Sequence, residues 1–243
     1  MRHYEAMRRA QGPPQPEDNY RLEVQGATPP RFGTVKIRDR GRLPHWEKEA
    51  GLYFVTYHLG DALPRSVLAK IAARRSLLQE AQRSGRSLLP QEKAALAEVS
   101  RKKIEEYLDA GGGACYLRDP RIAELVANAL RYWEAKKYRL LAWCVMPNHV
   151  HVVFRLFPAQ VLADILRSWK SYTSRMANRL LGRRGEFWER EYYDHLIRNG
   201  KELDRAIKYV MSNPERAGLK GWRWCWCAGV DALTTAGLEA SAT

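Results

Sequence analysis

Hydrophobic and polar positions along this chain follow two rhythms, one of period two and one near 3.6. Leu52-Tyr53-Phe54-Val55-Thr56-Tyr57-His58-Leu59 is aromatic and β-branched, the composition of a strand. After Pro64 a Leu/Ala/Arg-rich stretch runs to about Leu108. It breaks at Ser84-Gly85-Arg86 and restarts at Pro90, a favoured first helical position. That stretch predicts two charged helices inserted into the main fold. Asp119-Pro120 then opens a helix to about Lys136, with Ile122, Leu125, Val126, Ala129 and Leu130 on one stripe. Tyr138 to Val145 is a second strand. The turn Met146-Pro147-Asn148 leads into a third, His149-Val150-His151-Val152-Val153-Phe154, so the two read as a hairpin. A long helix from about Ala159 to Leu181 carries apolar Leu162, Ile165, Leu166, Trp169 and Tyr172. Glu191 to Ile197 is a fourth strand. A last helix spans about Lys201 to Ser212, where Pro214 is expected to stop it.

The resulting order, with the insertion and the last helix set aside, is β-α-β-β-α-β. This is the ferredoxin-like arrangement of an α+β protein, an antiparallel sheet with helices on one face and the other face free. Residues 1–41 are rich in Pro, Gly, Arg and Gln with no sustained period, which predicts a flexible N-terminal arm. The principal domain is expected over residues 42–224, with the helical insertion at about 63–108 and a C-terminal tail at 225–243. Gly111-Gly112-Gly113 is followed by no Lys-Ser/Thr, so it is a hinge or turn rather than a phosphate loop.

The hairpin carries the candidate chemistry. Residues two apart on a strand share a face, so His149 and His151 stand together while Val150, Val152 and Phe154 face the core. Two imidazoles so placed suit a divalent cation with open coordination positions, or a pair of buried, hydrogen-bonded histidines. The alternation sets them on the face that a ferredoxin-like sheet leaves free.

Charge narrows the partners. A net charge of +14 over 243 residues and a pI near 9.8 favour a polyanion, with nucleic acid the first candidate and solubility alone the bland reading. Between 159 and 184, Arg167, Lys170, Arg175, Arg179, Arg183 and Arg184 face a single acid, Asp164. That flank is either a phosphate track or a solvated face. No apolar run is long enough to span a bilayer, and the first nine residues lack the apolar core of a signal peptide. Cys115, Cys144, Cys225 and Cys227 have no disulfide-framework spacing, so a reduced, cytoplasmic protein is the simplest expectation.

In the last helix Leu203, Ala206, Ile207 and Val210 form the core stripe. Tyr209 lies well off it, and Asn213 follows one turn later on the same flank. From Arg42-Leu43-Pro44-His45-Trp46 to about Trp224 the chain resembles the transposases of the HUH single-tyrosine superfamily, most closely the REP-associated tyrosine transposases. Its most specific pieces are Cys144-Val145-Met146-Pro147-Asn148-His149-Val150-His151 and Phe187-Trp188-Glu189-Arg190-Glu191-Tyr192-Tyr193-Asp194-His195. Ser168-Trp169-Lys170-Ser171-Tyr172 and Tyr209-Val210-Met211-Ser212-Asn213-Pro214 complete the set.

The resemblance implies a metal-dependent endonuclease and strand-transferase that acts in DNA transposition on single-stranded, hairpin-forming DNA through a 5′-phosphotyrosine intermediate. It assigns Tyr209 as the nucleophile. It gives His149, His151 and Asn213 as ligands of Mg²⁺ or Mn²⁺. The competing readings are a catalytically idle regulator that binds hairpin DNA or RNA, and a nuclease that hydrolyses without a tyrosine adduct. Trp169, Tyr172, Trp188, Tyr192 and Tyr193 lie among basic residues, either as stacking platforms for unpaired bases or as core. No membrane partner is expected, and a homodimer sharing its active sites is compatible with the resemblance.

Overall fold

The computed structural model describes residues 36–38, 45–85, 89 and 101–229. All of them lie in one unit, residues 34–243. In chain order its elements are β1 (Lys36–Arg38), β2 (His45–Glu47), β3 (Leu52–His58), α1 (Arg65–Ser84) and α2 (Arg101–Asp109). They continue with a 3₁₀ turn at Tyr116–Arg118, α3 (Pro120–Arg131), β4 (Tyr138–Val145), β5 (His149–Leu156) and α4 (Leu162–Leu180). The chain closes with β6 (Tyr193–Leu196), α5 (Gly200–Arg216) and β7 (Cys225–Cys227). Of the arm expected over residues 1–41, only Lys36–Arg38 is described, and it pairs antiparallel with His45–Glu47. The expected helix restart at Pro90 and the tail beyond residue 229 lie outside the described residues.

The main sheet has the order β6-β3-β5-β4-β7, all antiparallel. Its first four strands take the ferredoxin-like order, so the α+β architecture read from the sequence is the one observed. Alternation along the strands divides two cores. Val150, Val152 and Phe154 of β5 join Ile122, Val126 and Leu130 of α3 and Ile165, Leu166 and Trp169 of α4. Buried polar groups tie these three layers together. The Trp169 Nε1–H donates to Tyr138 Oη at 2.9 Å, and that hydroxyl donates to the Leu130 carbonyl at 2.7 Å. Asp119 caps α3 by accepting from the Arg121 backbone N–H at 2.9 Å, with Pro120 at the first helical position.

The second face is not free. Leu203 and Val210 of α5 bury against Leu52, Phe54, Leu141, Cys144 and Val153. The last helix, set aside in the ferredoxin-like order, thus covers the face that order leaves free. A bulge between Leu140 and Ala142 breaks the alternation of β4, and Leu141 and Ala142 both fall into this second core. Pro214 does not stop the last helix, which continues to Arg216 with Pro214 buried inside it. Asn199 starts that helix by accepting from the Glu202 backbone N–H at 2.9 Å. The helix expected to reach Lys136 ends at Arg131, and Tyr132–Lys137 turn into β4.

The cysteine reading is also corrected. The β7 strand adds to the edge of β4 and sets Cys225 opposite Cys144; the two form a disulfide across 81 residues of chain. A separation that long leaves no spacing signal in the sequence. Cys115 and Cys227 are free thiols. No described helix is long and apolar enough to cross a membrane.

Gly111-Gly112-Gly113 is a turn, as expected, and it carries the exit of the insertion across the sheet's end. A Cβ at Gly112 would lie 2.9 Å from the Ala62 carbonyl oxygen. One at Gly113, whose φ is +80°, would lie 2.5 Å from the Asp61 carbonyl oxygen. Gly113→Ala is therefore expected to cost about 2 kcal/mol, since both backbone strain and a backbone clash must be relieved. That corresponds to a melting temperature lower by roughly 4–8 °C for a domain of this size. Thermal unfolding followed by circular dichroism checks this, and an unchanged midpoint would refute it.

Candidate active site

Hairpin register and strand alternation bring His149 and His151 together beneath α5. Both are fully buried, and their Nε2 atoms face each other at 3.0 Å. Each ring is held from behind. His149 Nδ1 meets Asn148 Oδ1 at 2.7 Å, while the Asn148 amide Nδ2 donates to the Gly112 carbonyl at 2.9 Å. That second bond orients the amide so that its oxygen faces the ring. His149 therefore carries its proton on Nδ1 and a lone pair on Nε2. His151 Nδ1 meets Thr56 Oγ1 at 2.8 Å, across the β3–β5 register that pairs Thr56 with His151. A hydroxyl donates or accepts, so Thr56 serves either tautomer of His151.

Burial, helped by the neighbouring His58, pushes the His149 pKa down to about 3. The ring is thus neutral at physiological pH, the form in which imidazole binds a metal. His58 pairs with His149 in the β3–β5 register. Its own pKa is lowered, chiefly by burial, while the Leu59 carbonyl bonded to its Nδ1 at 2.9 Å acts in the opposite direction.

The last helix supplies the other half. The Tyr209 ring packs edge-on to His151, with centroids 5.3 Å apart, and edge-on to Phe54 at 5.8 Å. Its hydroxyl is buried. Asn213, one turn on, is fully buried, as are Val210 and Pro214 of the same helix. Its side-chain Oδ1 and Nδ2 have no hydrogen-bond partner among the described residues. A buried amide left in that state costs about 1–3 kcal/mol, so a partner such as water or an ion is called for. Of the four residues singled out from the sequence, His149, His151 and Tyr209 pack together, and Asn213 is buried one turn along α5 from Tyr209.

Two further residues reach this site without any signal in the sequence pattern. Asp109, the last residue of α2, places Oδ1 3.9 Å from His149 Nε2. Arg216, at the end of α5, lies 3.9 Å from Asp109 Oδ2 and stacks its guanidinium 5.2 Å from the centroid of the Tyr209 ring. Burial raises the Asp109 pKa, opposed by Arg216. Either contact needed the insertion and the last helix to be placed in space.

The residues fit a divalent cation. Two imidazole Nε2 atoms converge, one of them a lone pair by its tautomer, and a buried amide lacks a protein partner. By contrast, no cluster of three or more His, Cys, Asp or Glu side chains with metal-ligand geometry occurs among the described residues. An imidazole pair of this kind would need other oxygen ligands to complete it, the open arrangement that suits Mg²⁺ or Mn²⁺.

The aromatic residues divide. Trp169 and Trp188 are buried and hydrogen-bonded inside the core, with the Trp188 Nε1–H donating to Thr173 Oγ1 at 2.8 Å; they are not stacking platforms. Tyr172 is 45% exposed and Tyr193 36%, and the Tyr193 ring packs edge-on to Phe54. On the basic flank of α4, Arg167 pairs with Asp164 at 3.2 Å. Lys170 donates to the Glu189 and Arg190 carbonyls at 2.6 and 2.8 Å. Arg183 lies 4.7 Å from the Tyr116 ring centroid. Arg175, Arg179 and Arg184 are exposed.

Residues 117–213, the segment that holds both histidines, Tyr209 and Asn213, match the family described as "Transposase IS200 like". The chain is also similar to REP-associated tyrosine transposases. It is 24% identical over 102 residues to a Haemophilus influenzae protein named "Putative REP-associated tyrosine transposase", a match that covers 35% of this chain and 56% of that protein. The chain thus spans about half the length of the curated relative it matches. A solved structure of a REP-associated tyrosine transposase bound to a REP hairpin is 16% identical, with a TM-score of 0.43, covering 84% of this chain and 88% of that one.

Proposed function

We propose that this protein cleaves and rejoins single-stranded, hairpin-forming DNA through a covalent link to Tyr209. The observation that carries the reading is the packing of the Tyr209 ring 5.3 Å from His151, whose Nε2 converges with that of His149 at 3.0 Å. The Tyr209 phenolic oxygen attacks the scissile phosphorus, and a bond forms between them as the phosphorus–O3′ bond breaks. The phenolic proton is lost, and the departing O3′ takes one up. The products are a 5′-phosphotyrosine and a free 3′-hydroxyl, and the reverse attack by a 3′-hydroxyl rejoins the strand without ATP.

A phenol is almost wholly protonated near neutral pH, so the nucleophile needs help. The Arg216 guanidinium beside its ring favours the phenolate electrostatically. His149, His151 and Asn213 would hold Mg²⁺ or Mn²⁺, which would polarise the scissile phosphate and neutralise charge developing on it. Positive charge on the chain draws the backbone in, and exposed Arg175, Arg179 and Arg184 lie on one helix and its exit to meet phosphates. The match to the transposase family model and the similarity to a protein named as a REP-associated tyrosine transposase support a hairpin substrate over a generic single strand.

The test is incubation with end-labelled, hairpin-bearing single-stranded DNA and Mn²⁺, resolved on a denaturing gel. A protein–DNA adduct that requires the metal is the expected result. Tight hairpin binding with neither adduct nor cleavage, under Mg²⁺ and Mn²⁺ alike, would instead identify a DNA-binding regulator. The oligomeric state of the working enzyme, including a homodimer, is read by running the same sample through light scattering.

A further inference from the structure

Asp109 occupies an electrostatically poor position for a residue with no task. It ends α2, where the helix dipole disfavours a carboxylate. Its side chain is 16% exposed. Its Oδ1 is buried and accepts no hydrogen bond from any described residue. The contact with Arg216 engages the other oxygen, at 3.9 Å, and the Arg216 side chain is 51% exposed. An ion pair this long and this exposed contributes little. It does not account for an Oδ1 turned inward, 3.9 Å from His149 Nε2.

We propose that Asp109 is a direct ligand of the cation held by His149 and His151, so that the helical insertion completes the metal site. This rests on the metal-dependent reading above and adds a ligand from outside the segment that matches the transposase family, which begins at residue 117. As they stand the three side chains do not form a finished ligand cluster, but a turn of the Asp109 carboxylate brings it to the spacing of one coordination sphere. Around an octahedral ion with ligands at about 2.1 Å, neighbouring donors lie about 3.0 Å apart and opposite ones about 4.2 Å. The two imidazole nitrogens are 3.0 Å apart. Asp109 Oδ1 stands 3.9 Å from His149 Nε2, between the two limits, so a small rotation of its carboxylate reaches either position.

The insertion is also anchored for this purpose. The Gly112 carbonyl, three residues after Asp109, accepts from Asn148, and Asn148 in turn sets the His149 tautomer. The Ala114 backbone N–H donates to Asp61 Oδ2 at 2.9 Å. One short turn thus fixes both the proposed carboxylate ligand and the orientation of an imidazole ligand. A carboxylate beside two imidazoles and an amide shifts the site toward harder ions such as Mn²⁺ and Mg²⁺. It leaves positions open for phosphate oxygens.

Free Mn²⁺ measured by electron paramagnetic resonance, during titration of metal-stripped full-length protein without DNA, tests the assignment. Asp109→Asn is expected to weaken Mn²⁺ binding at least tenfold, and Asp109→Glu, which keeps the carboxylate, to retain most of it. Melting curves in EDTA show whether each variant is folded. If Asp109→Asn melts early, the comparison with Asp109→Glu decides, since Asn keeps the size of the side chain without its charge and Glu keeps the carboxylate at the cost of one methylene. Wild-type affinity in Asp109→Asn, or an equal loss in both variants, overturns the proposal. His151→Ala run alongside separates the two readings. If wild-type protein binds no Mn²⁺, the metal reading itself fails. If His151→Ala loses Mn²⁺ while Asp109→Asn keeps it, only the role of Asp109 fails.

Discussion

Tyr209→Phe is expected to eliminate the covalent adduct and to lower strand cleavage by about a thousandfold or more, as removal of a nucleophile does elsewhere, while hairpin binding stays within about twofold. The substitution removes one oxygen and keeps the ring. The edge-on contacts with His151 and Phe54 and the guanidinium of Arg216 over the ring all persist, so the second core should hold. The fold and the basic DNA-facing surface are therefore unchanged, and a loss of adduct reports chemistry rather than unfolding. Denaturing gels read the adduct, and gel shift or fluorescence anisotropy reads binding. Cleavage that survives in Tyr209→Phe would discard the tyrosine mechanism in favour of direct hydrolysis.

The second large effect belongs to His151. His151→Ala should lower Mn²⁺ affinity by at least about a hundredfold, more than the loss seen when only outer-sphere partners are altered, and should abolish adduct formation at millimolar metal. The imidazole is fully buried and bridges Thr56 and His149 at 2.8 and 3.0 Å. Its removal leaves the His149 lone pair and the Thr56 hydroxyl without their partner and opens a cavity beneath Tyr209. A drop in stability of about 2–4 kcal/mol accompanies the loss of metal, because a cavity and unpaired polar atoms act together. Calorimetric Mn²⁺ titration separates the two consequences, since a folded variant at low temperature still shows the binding defect. Unaltered Mn²⁺ affinity in folded His151→Ala would remove the histidine pair from any metal-binding role.

Local periodicity carried far into this structure. The alternation of His149, His151 and Val153 against Val150, Val152 and Phe154 placed the two sets on opposite faces, and they line opposite cores. The stripe of Ile122, Val126 and Leu130 became the buried face of α3. Tyr209 was legible as a residue off the main stripe of the last helix, and it is half-buried where Leu203 and Val210 are buried. The full burial of Asn213 was not legible, for a specific reason. Its amide is buried with Pro214, as an apolar residue would be, and a polar residue on a buried face gives no periodic signal. Pro214 misled in the same way. Its ring sits in the last turns of α5, where the helix still reaches Arg216 because tertiary packing outweighs local propensity.

What the sequence determined by itself were the quantities set by neighbours a few residues apart: the strands and helices, their order, the shared face of His149 and His151, and the charge that draws a polyanion. These follow from steric and hydrophobic periods of two and 3.6. Tertiary structure alone decided which distant segments meet. It laid α5 over the sheet face expected to be free and added β7 to the edge with Cys225 opposite Cys144. It brought Asp109 and Arg216, 107 positions apart in the numbering, within 3.9 Å of one another beside the histidines. Such contacts depend on chain closure over long separations and on which face remains to be buried, and neither leaves a mark in the local pattern.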